Sequence, residues 1–147
     1  MILPDVNVLI YAHREESPEH DAYARWLTEL AVGREPFGLS ELVLSGVVRI
    51  VTNAKIFRTP TPTATAMRFA RSLLERPQAV RLRPGSRHFE IFEELSRQTG
   101  ATGKLVADAY HAALAIEHGC EWVSTDADFG RFPGLRWRHP LRPSRAP

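Results

Sequence analysis

The first fifteen residues, MILPDVNVLIYAHRE (residues 1–15), place a carboxylate and an amide inside an apolar segment. Asp5 and Asn7 come just after Pro4, and most of the residues around them are apolar. This pattern is typical of a short buried strand that leads into a helix. A carboxylate buried among apolar side chains costs several kcal/mol unless another group compensates its charge. The rest of the chain must supply that group.

Beyond residue 15, helical and strand-like patterns alternate along the chain. Apolar residues at helical spacing predict helices in the segments 17–33, 40–53, 66–77, 86–100 and 104–119. Further strands are predicted at AVRLRPG (79–85), CEWVST (120–125) and LRWRH (135–139), and RTPTPTAT (58–65) reads as an exposed connector. Strands that alternate with helices indicate an α/β fold with a parallel sheet covered on both faces.

Length and charge indicate one globular domain with a basic end. The 147 residues, of which 44% are hydrophobic and 24% charged, fit a single domain over 1–147. The formal net charge is only +2, but the last twelve residues carry four arginines and no acid. The basic C-terminal tail, at about 140–147, suits contact with nucleic acid, although most such tails are simply solvated.

Three features of the sequence lead us to expect a cytoplasmic protein that does not enter a membrane. Cys120 is the single cysteine, which excludes an internal disulfide and favours a reducing compartment. Arg49 interrupts the most apolar segment, so no run is long enough to span a bilayer. The first residues lack the positive charge of a signal peptide, and Asp5 falls where its apolar segment would be.

Acidic residues are placed to meet at one edge of the predicted sheet, since functional groups of α/β sheets gather beyond the carboxyl ends of the strands. Asp5 ends the first strand, and Asp126 and Asp128 follow the strand CEWV. Glu41 falls in the first turn of a predicted helix, and Asp108 lies at the border of the apolar stripe of another. Five carboxylates are thus candidates for a common site.

Each acid also has an ordinary structural explanation. Glu41 would suit the dipole of its helix. Asp108 could pair with Lys104, four residues earlier on the same helix. Asp126 and Asp128 fit ordinary turn chemistry, in which an aspartate side chain binds the backbone two residues on.

Taken together, the acids point to a metal site. If Asp5, Glu41, Asp108 and Asp126 converge, their charges repel one another and raise one another's pKa. Lys104 alone cannot balance four carboxylates. A divalent cation is the natural compensation, and ligands that are all carboxylate oxygens favour Mg²⁺, with Mn²⁺ as a possible substitute.

Four motifs together resemble the PIN-domain ribonucleases, and most of all the VapC-type toxins of bacterial toxin–antitoxin systems. They are DVNVLIYA (5–12), SEL (40–42), DAYHAALA (108–115) and STDADFGRFPGL (124–135), and the likeness runs from Ile2 to about Leu141. The resemblance implies a PIN-like fold with a parallel sheet of four or five strands. It also implies Mg²⁺-dependent RNA cleavage that leaves a 5′-phosphate, inhibition of translation, a homodimer and a small cognate VapB-type antitoxin.

The resemblance assigns roles to the acids by position. Asp5, Glu41, Asp108 and Asp126 match the family's catalytic quartet. The metal ligands would be Asp5, Asp108 and Asp126, with Asp128 matching a second acid that some members use at the metal. Glu41 would orient or deprotonate the attacking water, or complete a second metal site.

The resemblance also assigns supporting polar residues. Asn7 matches the residue that supports the first aspartate, and Thr125 matches a hydroxyl often placed beside the site. Val6 stands where the family more often has threonine, a mild departure, since that side chain is expected to face away from the site. Candidate phosphate contacts are Arg14, Lys55, Arg58, Arg83, Arg87 and Lys104. The RNA would be a loop of tRNA or ribosomal RNA. Proteins that recognise such single-stranded loops carry little sequence motif for their target.

Several other functions were weighed against this one. An aspartyl-phosphate phosphatase needs an acid two residues after its nucleophile, where this chain has Asn7. A receiver-type signalling module needs paired acids early in the chain and a late lysine, and neither is evident. A catalytically inactive RNA-binding PIN module would not need the whole quartet. A housekeeping PIN-domain RNA-processing nuclease is the closest alternative, and an antitoxin gene beside this one would argue against it.

Overall fold

The computed structural model describes residues 1–143, in which short strands and helices alternate. The strands are β1 (Ile2–Pro4), β2 (Phe37–Ser40), β3 (Ala79–Leu82), β4 (Glu121–Val123) and β5 (Trp137–Arg138). The helices are α1 (Val6–His13), α2 (His20–Val32), α3 (Glu41–Val51), α4 (Thr63–Leu74), α5 (His88–Thr99) and α6 (Lys104–Glu117). A 3₁₀ turn at Ala127–Arg131 follows β4.

The strands form one parallel sheet in the order β3-β2-β1-β4-β5. The register pairs Pro4 with Val123, so β1 and β4 end side by side. Successive residues of β4 belong to different buried clusters, Trp122 to one and Val123 to the other. Because neighbouring side chains of a strand point to opposite faces, both faces of the sheet are covered. The predicted parallel α/β fold is confirmed.

The second strand, β2, is absent from the sequence-based prediction. Its four residues, FGLS, are all buried, so the period-2 alternation of a half-exposed strand does not appear. A Cβ added to Gly38 would lie 2.6 Å from Cδ1 of Leu82, so the glycine permits close packing against β3. Ser40 ends β2 and caps α3, since its Oγ accepts a hydrogen bond from the N–H of Val43 at 3.4 Å.

Two predicted boundaries shift in the structure. The helix expected to enter at Ser17 begins at His20, after Glu19 adopts a left-handed conformation with φ 57°. The connector expected to be exposed over 58–65 contains the first residues of α4 and a buried threonine, Thr61. The Oγ1 of Thr61 accepts a hydrogen bond from Arg14 Nη1 at 3.1 Å, which ties the connector to the end of α1.

Two further expectations concern membrane spans and the basic tail. Within residues 1–143, no helix is both long enough and apolar enough to cross a bilayer. Residues 144–147 of the predicted basic tail lie outside the described residues.

Candidate active site

Asp5 lies at the carboxyl end of β1, where its backbone and side chain are both fixed. Its N–H donates to the carbonyl of Val123 at 2.9 Å, which places it beside β4. Its Oδ1 accepts from the N–H of Val6 at 2.6 Å and so caps α1. Its Oδ2 accepts from Ser124 Oγ at 2.7 Å and from Asn7 Nδ2 at 3.2 Å. The residue is only 7% exposed, so the carboxylate depends on these donors rather than on water.

Ser124 joins the ends of β1 and β4 and is completely buried. Its Oγ donates to Asp5 and accepts from the N–H of Asp126 at 3.0 Å and from Asn7 Nδ2 at 3.1 Å. The resemblance placed the hydroxyl of Thr125 beside the site. In the structure Ser124 supplies the hydroxyl next to Asp5, and Thr125 donates its backbone N–H to Asn7 Oδ1 at 3.2 Å.

Asp108 and Asp126 approach each other around one ammonium group. Lys104 Nζ lies 2.7 Å from Asp126 Oδ2 and 3.4 Å from Asp108 Oδ2. The pairing of Lys104 with Asp108 was considered from the sequence, whereas the shorter contact with Asp126 was not. Asp126 also caps the 3₁₀ turn, since its Oδ1 accepts from the N–H of Asp128 at 2.9 Å. Asp128 itself is exposed.

The pKa values show that three of the carboxylates share one electrostatic environment. Burial, with a smaller effect from the charges of Asp108 and Asp126, raises the pKa of Asp5 to about 6, although the hydrogen bonds from Ser124 and Val6 oppose the rise. Burial also raises the pKa of Asp108, while Lys104 opposes the rise. The hydrogen bond from Lys104 lowers the pKa of Asp126. Negative charge therefore accumulates at this edge beyond what one lysine offsets.

Glu41 has partners of its own at the start of α3. Its Oε1 lies 3.4 Å from Arg81 Nη1 and 3.3 Å from Arg83 Nη2, and all three side chains are largely exposed. Arg83, a candidate phosphate contact from the sequence, is thus a partner of Glu41. To predict these ion pairs from the sequence, one needs the register of β3 beside β2, in which Leu82 lies opposite Ser40. Because β2 was not predicted, that register was not accessible.

The donor chemistry of the site fits a hard divalent cation. Within residues 1–143, no group of three or more His, Cys, Asp or Glu side chains is already arranged to hold a metal. The carboxylates of Asp5, Asp108 and Asp126 nevertheless offer an all-oxygen ligand set, as Mg²⁺ and Mn²⁺ prefer. Lys104 shows that two of these carboxylates already hold a cationic group between them.

A family model described as PIN domain matches residues 2–135, nearly the whole chain. This chain belongs to the PIN-domain family. It is 47% identical over 141 residues to the VapC ribonuclease Mb2897 of Mycobacterium bovis, with 96% of each chain covered. It is 38% identical over 140 residues to ribonuclease VapC25 of Mycobacterium tuberculosis, covering 95% of this chain and 99% of the relative. The resemblance to VapC-type PIN domains is confirmed.

Solved structures show the same fold. VapBC2 from Rickettsia felis, bound to a DNA fragment from its promoter, matches with a TM-score of 0.67 at 21% identity, covering 95% of this chain and 98% of the other. FitAB bound to the IR36 DNA fragment matches with a TM-score of 0.70 at 19% identity, covering 98% of each chain. The sheet and helices of this PIN domain are therefore those of the PIN fold.

Proposed function

We infer that this protein is a metal-dependent endoribonuclease toxin of the VapC type. The observation that carries the proposal is that Lys104 bridges Asp108 of α6 and Asp126 after β4, and that the charges of both aspartates raise the pKa of Asp5 at the end of β1. Membership of the PIN-domain family and 47% identity to a protein named as a VapC ribonuclease supply the substrate class, RNA.

Asp5, Asp108 and Asp126 would hold the cation, with Asp128 as a further carboxylate at its side. When bound, Mg²⁺ or Mn²⁺ supplies Lewis-acid chemistry that neutralises phosphate charge and makes water more acidic. Asp5 is the best-fixed of the ligands, because Ser124 and Val6 hold its two oxygens separately.

The remaining residues position the substrate and move the proton. Glu41 takes the proton of the attacking water, and Arg81 and Arg83 position its carboxylate by their contacts with Oε1. Asn7 and Ser124 keep Asp5 in its ligand orientation. In-line attack breaks the phosphodiester and leaves a 5′-phosphate and a 3′-hydroxyl.

The partners follow from the same site and from the relatives. The RNA is a loop of tRNA or ribosomal RNA, so that cleavage inhibits translation. A small VapB-type antitoxin neutralises the protein, a proposal supported by matched solved structures that are named VapBC2 and VapBC-1. The protein acts as a homodimer, as the likeness to VapC toxins implies. The antitoxin inserts an arginine or lysine among Asp5, Glu41, Asp108 and Asp126, whose negative charge best suits a planar guanidinium.

Sequencing of 5′-phosphate RNA ends after brief induction tests this proposal. The wild-type protein should arrest growth and produce new ends at one tRNA or ribosomal loop, and Asp108→Asn should produce none. Asp21→Asn, the same change at an exposed position of α2, is the matched control and should behave as wild type. Circular dichroism checks that each variant is folded. Cleavage by Asp108→Asn at the wild-type rate would contradict the proposal, and trimming of precursor RNA without growth arrest would indicate a housekeeping nuclease instead.

A further inference from the structure

A cavity of about 370 Å³ opens between the start of α3, α5 and α6. Its walls are almost entirely apolar and are formed mainly by Leu42, Phe92, Val106, Ala107, Tyr110 and His111. The rings of Phe92 and Tyr110 lie 5.6 Å apart at an interplanar angle of 70°. A cavity of this size and composition falls within the range of small-molecule sites, about 300–1,000 Å³.

The cavity adjoins the candidate active site on two sides. Leu42 follows Glu41 on α3, and Ala107 precedes Asp108 on α6. Consecutive residues are only about 3.8 Å apart along the chain. The residues that line the cavity are thus chain neighbours of Glu41 and Asp108, and an RNA chain at the carboxylates would pass close to the cavity.

His111 contributes a flat and uncharged ring to the cavity wall. The ring stacks on that of Trp122, with centroids 5.4 Å apart and an interplanar angle of 18°. Burial lowers the pKa of His111 to about 4, so the imidazole is neutral at physiological pH. The aromatic and aliphatic walls thus carry no charge that would repel or bind an anion.

We propose that this cavity binds one unstacked nucleobase of single-stranded RNA, beside the phosphodiester that the aspartates address. The occupant is an RNA base on the strength of the proposed ribonuclease function, on which this inference rests. Bases stack on aromatic side chains without regard to sequence, because every base has a π-face. The ring of Tyr110, half-buried in the wall, is the platform for that contact.

The charges around the cavity favour RNA over a second copy of the chain. The side chains of Arg81 and Arg83 are 52% and 71% exposed and share a single carboxylate, that of Glu41, so one positive charge is in excess beside the cavity. A cation outside an apolar base pocket complements a phosphate of a bound nucleotide. A second copy seated on the same face would bring its own excess positive charge toward this one.

Fluorescence anisotropy with two labelled probes tests the proposal. One probe is hexauridylate, and the other is an abasic ribose-phosphate oligomer of the same length and charge, both measured with EDTA to prevent cleavage. Loss of one stacked base should weaken the binding of hexauridylate to Tyr110→Ala by about 5- to 100-fold. Tyr110→Phe keeps the ring and should bind as wild type. The abasic oligomer should bind all three proteins equally.

Ala107→Leu provides a second variant in case Tyr110→Ala does not fold. Ala107 is exposed on α6, and leucine is a good helix former, so the change narrows the cavity without removing packing. It should also weaken binding of hexauridylate and leave the abasic oligomer unaffected.

Two results would overturn the proposal. One is that Tyr110→Ala and Ala107→Leu bind both probes more weakly by the same factor, or bind hexauridylate as tightly as wild type does. The other is an oligomer that dissociates in these variants during sedimentation while RNA binding stays unchanged, which would assign the face to a second copy. Cleavage is assayed separately with Mg²⁺, so base-dependent binding in EDTA by a protein that cleaves no RNA in Mg²⁺ would refute the proposed function and leave this cavity as a base site.

Discussion

Replacing Asp5 by asparagine should stabilise the metal-free protein at neutral pH while abolishing the proposed cleavage. Burial moves the pKa of Asp5 from 3.8 to about 6, so ionisation of this carboxyl at neutral pH destabilises the native state. At 1.36 kcal/mol for each tenfold change in proton affinity, the cost is about 3 kcal/mol. Asparagine avoids that cost, but the NH2 that replaces Oδ2 cannot accept the hydrogen bonds from Ser124 Oγ and Asn7 Nδ2, a loss of about 2 kcal/mol. The expected net gain is about 1 kcal/mol.

The gain should depend on pH in a defined direction. The folded-state pKa of Asp5 lies above its unfolded value, so the native state binds this proton more tightly. The stability that Asp5 contributes is fully present below pH 3.8 and is lost as the pH rises through 6. Asp5→Asn should therefore be less stable than wild type at pH 4, where only the lost hydrogen bonds count, and its relative stability should rise by about 2 kcal/mol between pH 4 and pH 7.5.

Urea denaturation in EDTA at pH 4 and pH 7.5 measures this difference. Asp21→Asn, at an exposed position of α2, serves as the control and should show little change between the two pH values. If Asp5→Asn is less stable than wild type at pH 7.5, or differs from it equally at both pH values, then burial does not disfavour the Asp5 carboxylate as argued.

Three further experiments probe the site and its surroundings. Millimolar Mg²⁺ should raise the melting temperature of wild type and not of Asp108→Asn, because a ligand of the native state stabilises it by mass action. A wild-type melting temperature that does not change with Mg²⁺ in scanning fluorimetry would contradict the metal site. Lys104→Ala removes the ammonium between two carboxylates, so it should melt at a lower temperature than wild type in EDTA and show a larger rise in melting temperature with Mg²⁺. An equal rise in both proteins would count against competition between lysine and metal. Arg14→Ala should cost about 1–3 kcal/mol in urea, since the guanidinium donates to a loop carbonyl and lies over the Phe57 ring, whereas exposed Arg25→Ala should cost little.

Helices with strong periodicity and clear end signals were predictable from the sequence. The helix predicted to stop at Gly100 does so, because that residue adopts the left-handed conformation with φ 61° that ends α5. The predicted 104–119 helix contains α6. The strand β2 was missed because its four residues are all buried, so they show no alternation of apolar and polar side chains, and the segment is short. Its place in the sheet comes from pairing with distant segments.

The positions of the acids were predictable, but their partners were not. Asp5, Asp108 and Asp126 follow from strand ends and helix periodicity, and the structure couples their charges. Which hydroxyl faces Asp5 depends on the orientation of single residues at the end of β4, where Ser124 rather than Thr125 turns inward. A pattern of residue types does not encode such a one-residue difference.

The central position of β1 also bears on when the site can form during synthesis. β1 is made before its neighbour β4, and Ser124 lies 119 residues beyond Asp5. A nascent chain, or a fragment, that stops before residue 120 lacks both the strand that positions Asp5 and the third aspartate. Since non-local pairing must await the distant segment, the cell that makes this protein meets its proposed activity only once translation has passed Asp126.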